Sequence, residues 1–367
     1  MACLDPLEAI TGAFVLADMK MTLGHLYEAL SIYEHALQLA TEHGEPMPLV
    51  HQDVYTGISK LHREQGNLEA AAQDLLISRN LGKQVELADW QYRWCIAQAR
   101  LKESQGDLDG ALDLLNKAER QYVRTPVPEV RPIAALKTRI WVTQGRISQA
   151  LDWARERDLS SNDDLSFLRE FEHITFARVL IAQYKCDLVN GSIHEAIGLL
   201  ERLLQAAEEG ERTGSVIEIL VVQALAHQAQ GNIPLALAPL ERALALAEPE
   251  DYIRIFIDEG PLMENLLNNI KTDNKNLKKY IQRLKAAFLG EKPQLAVTNQ
   301  QSLIEPLSER ELGVLKLLRT ELSGPEIAGQ LIVSLNTFRT HTKNIFNKLG
   351  VNNRRAAVRR AEELDLL

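Results

Sequence analysis

Between Asn336 and Lys348, polar side chains recur at helical spacing: Asn336, Thr337, Arg339, Thr340, Lys343, Asn344, Asn347 and Lys348. Steps of three and four residues gather such positions on one side of an α-helix. Amides, hydroxyls and cationic groups are the types that bond phosphate oxygens and base edges. The chemistry on offer is recognition of a nucleic acid rather than bond breaking. Apolar Phe338, Ile345 and Leu349 fall on the opposite side. No acidic residue occurs from Ile327 to Ala361, while Arg339, Lys343, Lys348, Arg354, Arg355, Arg359 and Arg360 all lie within that stretch. Duplex DNA is a dense line of negative charge, which a segment of one positive sign suits.

Nothing comparable points to catalysis. The nine histidines are scattered, and no HExxH, GxSxG or GxxxxGK(S/T) pattern occurs. Cys3, Cys95 and Cys186 are far apart with no CxxC pair, which predicts three packed thiols in a reducing compartment rather than disulfides or a zinc site. Neither an enzyme activity nor a metal or cofactor is expected. The first residues lack a basic stretch followed by an apolar one, so no signal peptide is expected. No run reaches the ~18 apolar residues of a membrane span. The most apolar patches are broken by Glu218, Gln223 and His227. A soluble, cytoplasmic protein with no membrane partner is the expectation.

The polar helix needs neighbours to hold it. Ser308 with Glu311, and Ser323 with Glu326, have the spacing of capping boxes. Ser334 can cap a third helix, and Asn352 or Asn353 a fourth. Four helices are predicted near 309–319, 324–331, 335–349 and 353–364. Only Ile332-Val333-Ser334 separates the second from the third, the turn length of a DNA-binding helix-turn-helix. Ile327, Ala328 and Leu331 would face inward, with Val333 plugging the turn.

The chain has 367 residues, 46% hydrophobic, with a net charge of −9, which suits two or three folded domains. That charge is unevenly spread: residues 303–367 hold ten basic and eight acidic side chains, and the excess of acid lies in residues 1–302. There a pattern Gly-x-(Leu/Ile)-x-x-Ala recurs six times, from Gly24, Gly66, Gly106, Gly145, Gly191 and Gly231. Each glycine would end one helix in a left-handed cap, and the Leu or Ile and the Ala would begin the next. Four repeats carry a second small residue further along, at Ala36, Ser78, Ala118 and Ala243, whereas Arg157 and Leu203 stand there in repeats four and five. Stacked helical pairs make a curved solenoid with a concave binding face. Trp90, Trp94, Trp141 and Trp153 are expected in its core, with a ligand groove as the alternative. Lys271 to Lys285 carries six basic residues and one acid, Asp273, and reads as a solvated helix face, with a nucleic-acid role as the alternative.

The repeat unit resembles the second helix of a tetratricopeptide repeat, with a period longer than the usual one. Leu307-Ser-Glu-Arg-Glu-Leu312, Ser323-Gly-Pro-Glu-Ile-Ala328, Ser334-Leu-Asn-Thr-Phe-Arg-Thr-His341 and Asn344-Ile-Phe-Asn-Lys-Leu349 resemble the LuxR-type DNA-binding domain. With the repeats and Arg254-Ile-Phe-Ile-Asp-Glu-Gly260, nearly the whole chain resembles the MalT-like regulators, the large members of that bacterial family. The expected fold is all-α: a TPR-like α-solenoid followed by a four-helix LuxR-type helix-turn-helix domain. The expected organisation is repeats in 1–250, terminal solenoid helices in 251–289, a linker in 290–306 and the reader in 307–367.

The resemblance implies a transcriptional regulator, an activator by family habit. Its solenoid would sense an inducer or regulatory protein, and its reader would bind promoter DNA as a homodimer and work with RNA polymerase. By motif position, Arg339, Thr340 and Lys343 would touch bases. Thr337, Asn344 and Lys348 would approach the backbone, with Asn336 and Arg355 completing the DNA face. Ala357, Val358 and Ala361 would form the dimer contact, and His341 would be structural. Phe338 departs from the family's small aliphatic residue, and Gly324-Pro325 from its polar pair. The phosphate-binding loop of the family's NTPase module is missing, so the chain reads as a short regulator or a fragment without ATP-gated control. The alternative is a protein-interaction scaffold with a secondary, weakly specific DNA contact.

Overall fold

The computed structural model describes residues 6–42, 48–82, 88–122, 130–188, 190–290, 309–320, 322–331, 335–348, 351 and 354–363. Every regular element among them is helical. The chain divides into two units, Met1–Pro293 and Gln294–Leu367.

Six antiparallel pairs build the first unit. They are α1 (Pro6–Leu23) with α2 (Leu26–Glu42), α3 (Pro48–Glu64) with α4 (Leu68–Gly82), and α5 (Ala88–Ser104) with α6 (Leu108–Arg120). Then come α7 (Ile133–Thr143) with α8 (Ile147–Glu156), α9 (Glu170–Asp187) with α10 (Asn190–Glu209), and α11 (Thr213–Ala229) with α12 (Ile233–Ala247). Five motif glycines, Gly24, Gly66, Gly106, Gly145 and Gly231, take φ between 74° and 94°. At each, the next residue's N–H bonds a carbonyl five positions back, as in Asn67 to His62 at 2.8 Å and Arg146 to Trp141 at 2.8 Å. That is the Schellman cap, which a side chain would strain.

Gly191 is the exception and corrects the expectation. It lies within the first turn of α10, and the left-handed residue that ends α9 is Leu188, at φ 53°. The pairing survives because packing, not the cap, sets the register. All six motif alanines, Ala29, Ala71, Ala111, Ala150, Ala196 and Ala236, are fully buried between paired helices. The later small positions Ala36, Ser78, Ala118 and Ala243 are buried too, and Leu203 fills that place in the fifth repeat. Trp90 and Trp153 are buried, and Trp94 and Trp141 pack half-buried against the core, as core packing predicts. Cys95 is buried but Cys186 is exposed, so not every thiol is packed.

The odd-numbered helices pack on one another from pair to pair, as α1 on α3, α3 on α5, α7 on α9 and α9 on α11. The stack of pairs closes on itself, because α1 also packs against α11. At that contact a Cβ on Gly24 would lie 2.6 Å from the Gly214 nitrogen, so the approach needs glycine. Tyr27 N–H donates to Glu250 at 3.0 Å, and Ile253 N–H to the Glu64 carbonyl at 2.8 Å. Three more helices, α13 (Arg254–Ile257), α14 (Pro261–Asn269) and α15 (Lys275–Phe288), finish this unit. Phe256, Met263, Leu266, Tyr280 and Leu284 join the solenoid's own core.

Candidate nucleic-acid interface

The second unit holds α16 (Glu309–Leu318), α17 (Gly324–Gln330), α18 (Leu335–Lys348) and α19 (Arg354–Glu363). Its helices fall within two residues of those expected from caps and periodicity. Glu326 accepts from Ser323 N–H at 2.7 Å, the return bond of a capping box, and also from Ser323 Oγ at 2.6 Å. These bonds hold the Glu326 carboxyl below its usual range. Val314, Leu315, Leu318, Ile327, Ala328, Phe338, Ile345, Ala357 and Ala361 form a separate core, with Leu331 packed against it. Ser308, the turn Ile332-Val333-Ser334, Leu349, and Asn352 and Asn353 lie outside the described residues.

Burying Phe338 and Ile345 turns the other side of α18 outward. Lys343 and Asn344 are exposed there, and His341 is half-buried. Asn336, Thr337, Arg339 and Thr340 precede Lys343 on the same helix. Their side chains, and that of Arg355 on α19, lie outside the described residues.

Two of the basic residues are engaged inside the unit. Lys348 Nζ pairs with Glu311 at 3.0 Å, and the Glu311 side chain is 5% exposed. The pair ties the end of α18 to the start of α16. Arg354 reaches back to the end of α16. It donates to the carbonyls of Leu318 at 2.8 Å and Leu322 at 2.6 Å, and also to that of Thr320. The last carbonyls of a helix lack partners within it, and a cation there also meets the negative end of the helix dipole. Sequence reasoning missed this role because the carbonyls lie more than 30 positions from Arg354. The expected dimer residues are likewise drawn inward: Ala357 and Ala361 are fully buried in this core, and Val358 is half-buried.

The two departures in this domain explain each other. A Cβ on Gly324 would lie 3.1 Å from Phe338 Cε1, so the glycine makes room for the large ring. In wild type, Gly324→Ala should gain little, because propensity and crowding oppose each other. With Phe338→Leu the crowding is relieved, and the same change should stabilise by up to ~1 kcal/mol. Denaturation of the four chains, followed by far-UV circular dichroism, should show that coupling. Strict additivity would refute it.

Side chains of α3, α7, α9 and α11 and of residues 254–259 form a buried ionic network. Arg139 donates to Glu218 at 2.5 Å and to Thr175 at 2.8 Å, with its guanidinium 3.7 Å from the Phe171 ring centre. Arg178 binds Glu259 through two bonds, at 2.9 and 2.6 Å. Arg63 pairs with Glu64 and with Asp258, and Asp258 also accepts from Arg254. Burial alone would raise the Glu218 carboxyl, but Arg139, then Arg178, outweigh it and hold it at about 2. Burial pulls Arg139 down to about 10 against the attraction of Glu218, with Arg178 and Arg100 adding to the fall. The sequence signal was Glu218 itself, a charge inside an apolar helix.

Among the described residues no group of His, Cys, Asp and Glu could hold a metal, and no helix is long and apolar enough to cross a membrane.

The family model described as "MalT-like TPR region" matches residues 5–273, and that of "Bacterial regulatory proteins, luxR family" matches 305–361. Similar curated proteins are HTH-type transcriptional regulators MalT. That of Serratia proteamaculans is 25% identical over 380 residues, covering 95% of this chain and 40% of the relative. That of Vibrio cholerae is 24% identical over 424 residues, covering 97% and 45%. The chain thus spans less than half the length of these relatives.

Proposed function

Since the chain belongs to the MalT-like TPR-region family and joins that region to a LuxR-family helix-turn-helix, we propose that it is a sequence-specific DNA-binding transcriptional regulator. The observation that carries the reading is α18, whose apolar side is buried while Lys343 and Asn344 stand exposed on the other. Arg339, Thr340 and Lys343 enter the major groove. Asn336, Thr337, Asn344 and Arg355 serve the backbone, and Lys348 reaches it only by leaving Glu311. The protein works in the cytoplasm without catalysis, as an activator that meets RNA polymerase, and pairs on DNA through the neighbourhood of Val358. An inducer or partner acts on the solenoid by shifting the ionic network that joins α7, α9 and α11 to residues 254–259.

Selection from a random duplex library by the purified chain tests the reading. A recovered dyad motif supports it, and only salt-sensitive, sequence-blind binding would support a scaffold instead. Lys343→Ala should cost about 1–3 kcal/mol of preference for the selected duplex over a mismatched one. Unchanged preference would remove Lys343 from the base contacts.

A further inference from the structure

The last helix of the solenoid unit has a sign opposite to the rest of that unit. From Lys275 to Leu289 there is no acidic residue. Helical spacing divides its cations in two. Tyr280, Ile281 and Leu284 are buried against the solenoid, and Arg283 on their flank is held by Asp251 at 2.6 and 3.1 Å. Lys275, Lys278 and Lys279 stand exposed on the outer side, and Lys271 stands exposed just before the helix. None of the four has an ion-pair partner among the described residues. Lys271, Lys278 and Lys285 border a recess of about 390 Å³ together with Thr272 and Gln282, in which Asp273 is the single acid. The helix start is already satisfied, because Asn274 accepts from the N–H groups of Asn276 and Leu277 at 3.0 and 3.3 Å. The free capacity of α15 therefore lies in its lysines.

Unpaired lysines with no fixed acceptor suit a partner presenting regularly spaced negative charge and no particular sequence. We infer that the Lys271, Lys275, Lys278 and Lys279 face of α15 binds the phosphate backbone of the same duplex that α18 reads, outside the base pairs that α18 contacts. The inference rests on the reader assignment above. It adds a second, sequence-blind DNA contact supplied by the solenoid unit. Only residues 289–308 separate α15 from α16 along the chain, so this contact is intramolecular once the reader is bound. Lysine is fitted to the task as a flexible point charge that needs no bidentate geometry.

The test uses the full chain and its variant Lys271→Gln, Lys275→Gln, Lys278→Gln, Lys279→Gln. All four positions are exposed, so the solenoid core is untouched. Two probes are compared: the selected dyad alone, and the dyad with about 20 base pairs of random flank on each side, roughly two helical turns. Wild type should bind the longer duplex more tightly at low salt, with a steeper salt dependence. The variant should bind both equally, with the slope of log K against log salt reduced by about 0.9 for each phosphate that the lysines neutralise. Equal affinity and slope for variant and wild type on the long duplex would overturn the inference while leaving the reader intact. If wild type does not prefer the dyad over a scrambled duplex, the reader assignment falls and takes this inference with it. Loss of binding to phosphatidylserine vesicles, with duplex binding unchanged, would give the lysine face to a lipid surface and likewise overturn it.

Discussion

Replacing Arg354 by alanine is expected to destabilise the whole second unit rather than to trim one interaction from its surface. The guanidinium supplies donors to the carbonyls of Leu318, Thr320 and Leu322, which end α16 and lead into α17. A hydrogen bond to a charged group is worth about 1.5–3 kcal/mol, and a carbonyl left without a partner adds its own cost. A loss of about 3 kcal/mol or more is therefore expected. A domain of this size has a margin of roughly 5 kcal/mol, so more than half of the unit's stability would be lost. All four tryptophans lie in the solenoid, at 90, 94, 141 and 153, so their fluorescence reports that unit alone. The Arg354→Ala chain should lose the second unit's share of helical circular dichroism at a lower temperature than wild type, while its tryptophan transition stays put. Arg354→Lys should restore only part of the stability, because one ammonium cannot span the carbonyls that a guanidinium fork reaches. Were Arg354 a phosphate ligand instead, the alanine variant would keep the wild-type transition and lose only salt-sensitive affinity.

The second large effect lies in the solenoid. Glu218→Gln leaves Arg139 and Arg178 facing each other with their shared carboxylate neutralised. Breaking a buried ion pair from one side costs about 3–5 kcal/mol, and the tryptophan transition should move by that amount. The same residue sets an acid limit. Its folded value of about 2 lies below the ordinary 4.5, so its contribution is fully present above pH 4.5 and fades as the pH falls toward 2. With the side chain 12% exposed, the contribution is about 3 kcal/mol. Wild-type stability should therefore fall more steeply than that of Glu218→Gln across this window. Parallel pH profiles would show that Glu218 is not the group responsible.

Much of the molecule is written locally. Schellman caps need a residue that tolerates positive φ, so five glycines mark five helix ends. Motif alanines sit where two helices touch, so their recurrence marks the pairs even where Gly191 misplaces a boundary. Capping, helical period and turn length depend on residues within a few positions of one another, and they placed α16 to α19 almost to the residue. The outward face of α18 followed from the same periodicity.

What the sequence by itself determined, then, is the all-α class, the six pairs, the four helices of the second unit and the exposure of Lys343 and Asn344 on α18. The tertiary structure decided which charges are free. A count of seven basic residues after Ile327 treats them alike, yet Lys348 is tied to Glu311 and Arg354 to the end of α16. It also decided that the solenoid closes, through α1 on α11 and residues 250–258 on α2 and α3, and that Arg139 and Glu218 meet from 79 positions apart. Local patterns are legible because backbone geometry and hydrogen bonding act between near neighbours. Ion pairing and ring closure join residues that only the completed fold brings together, and burial then sets the strength of their charges.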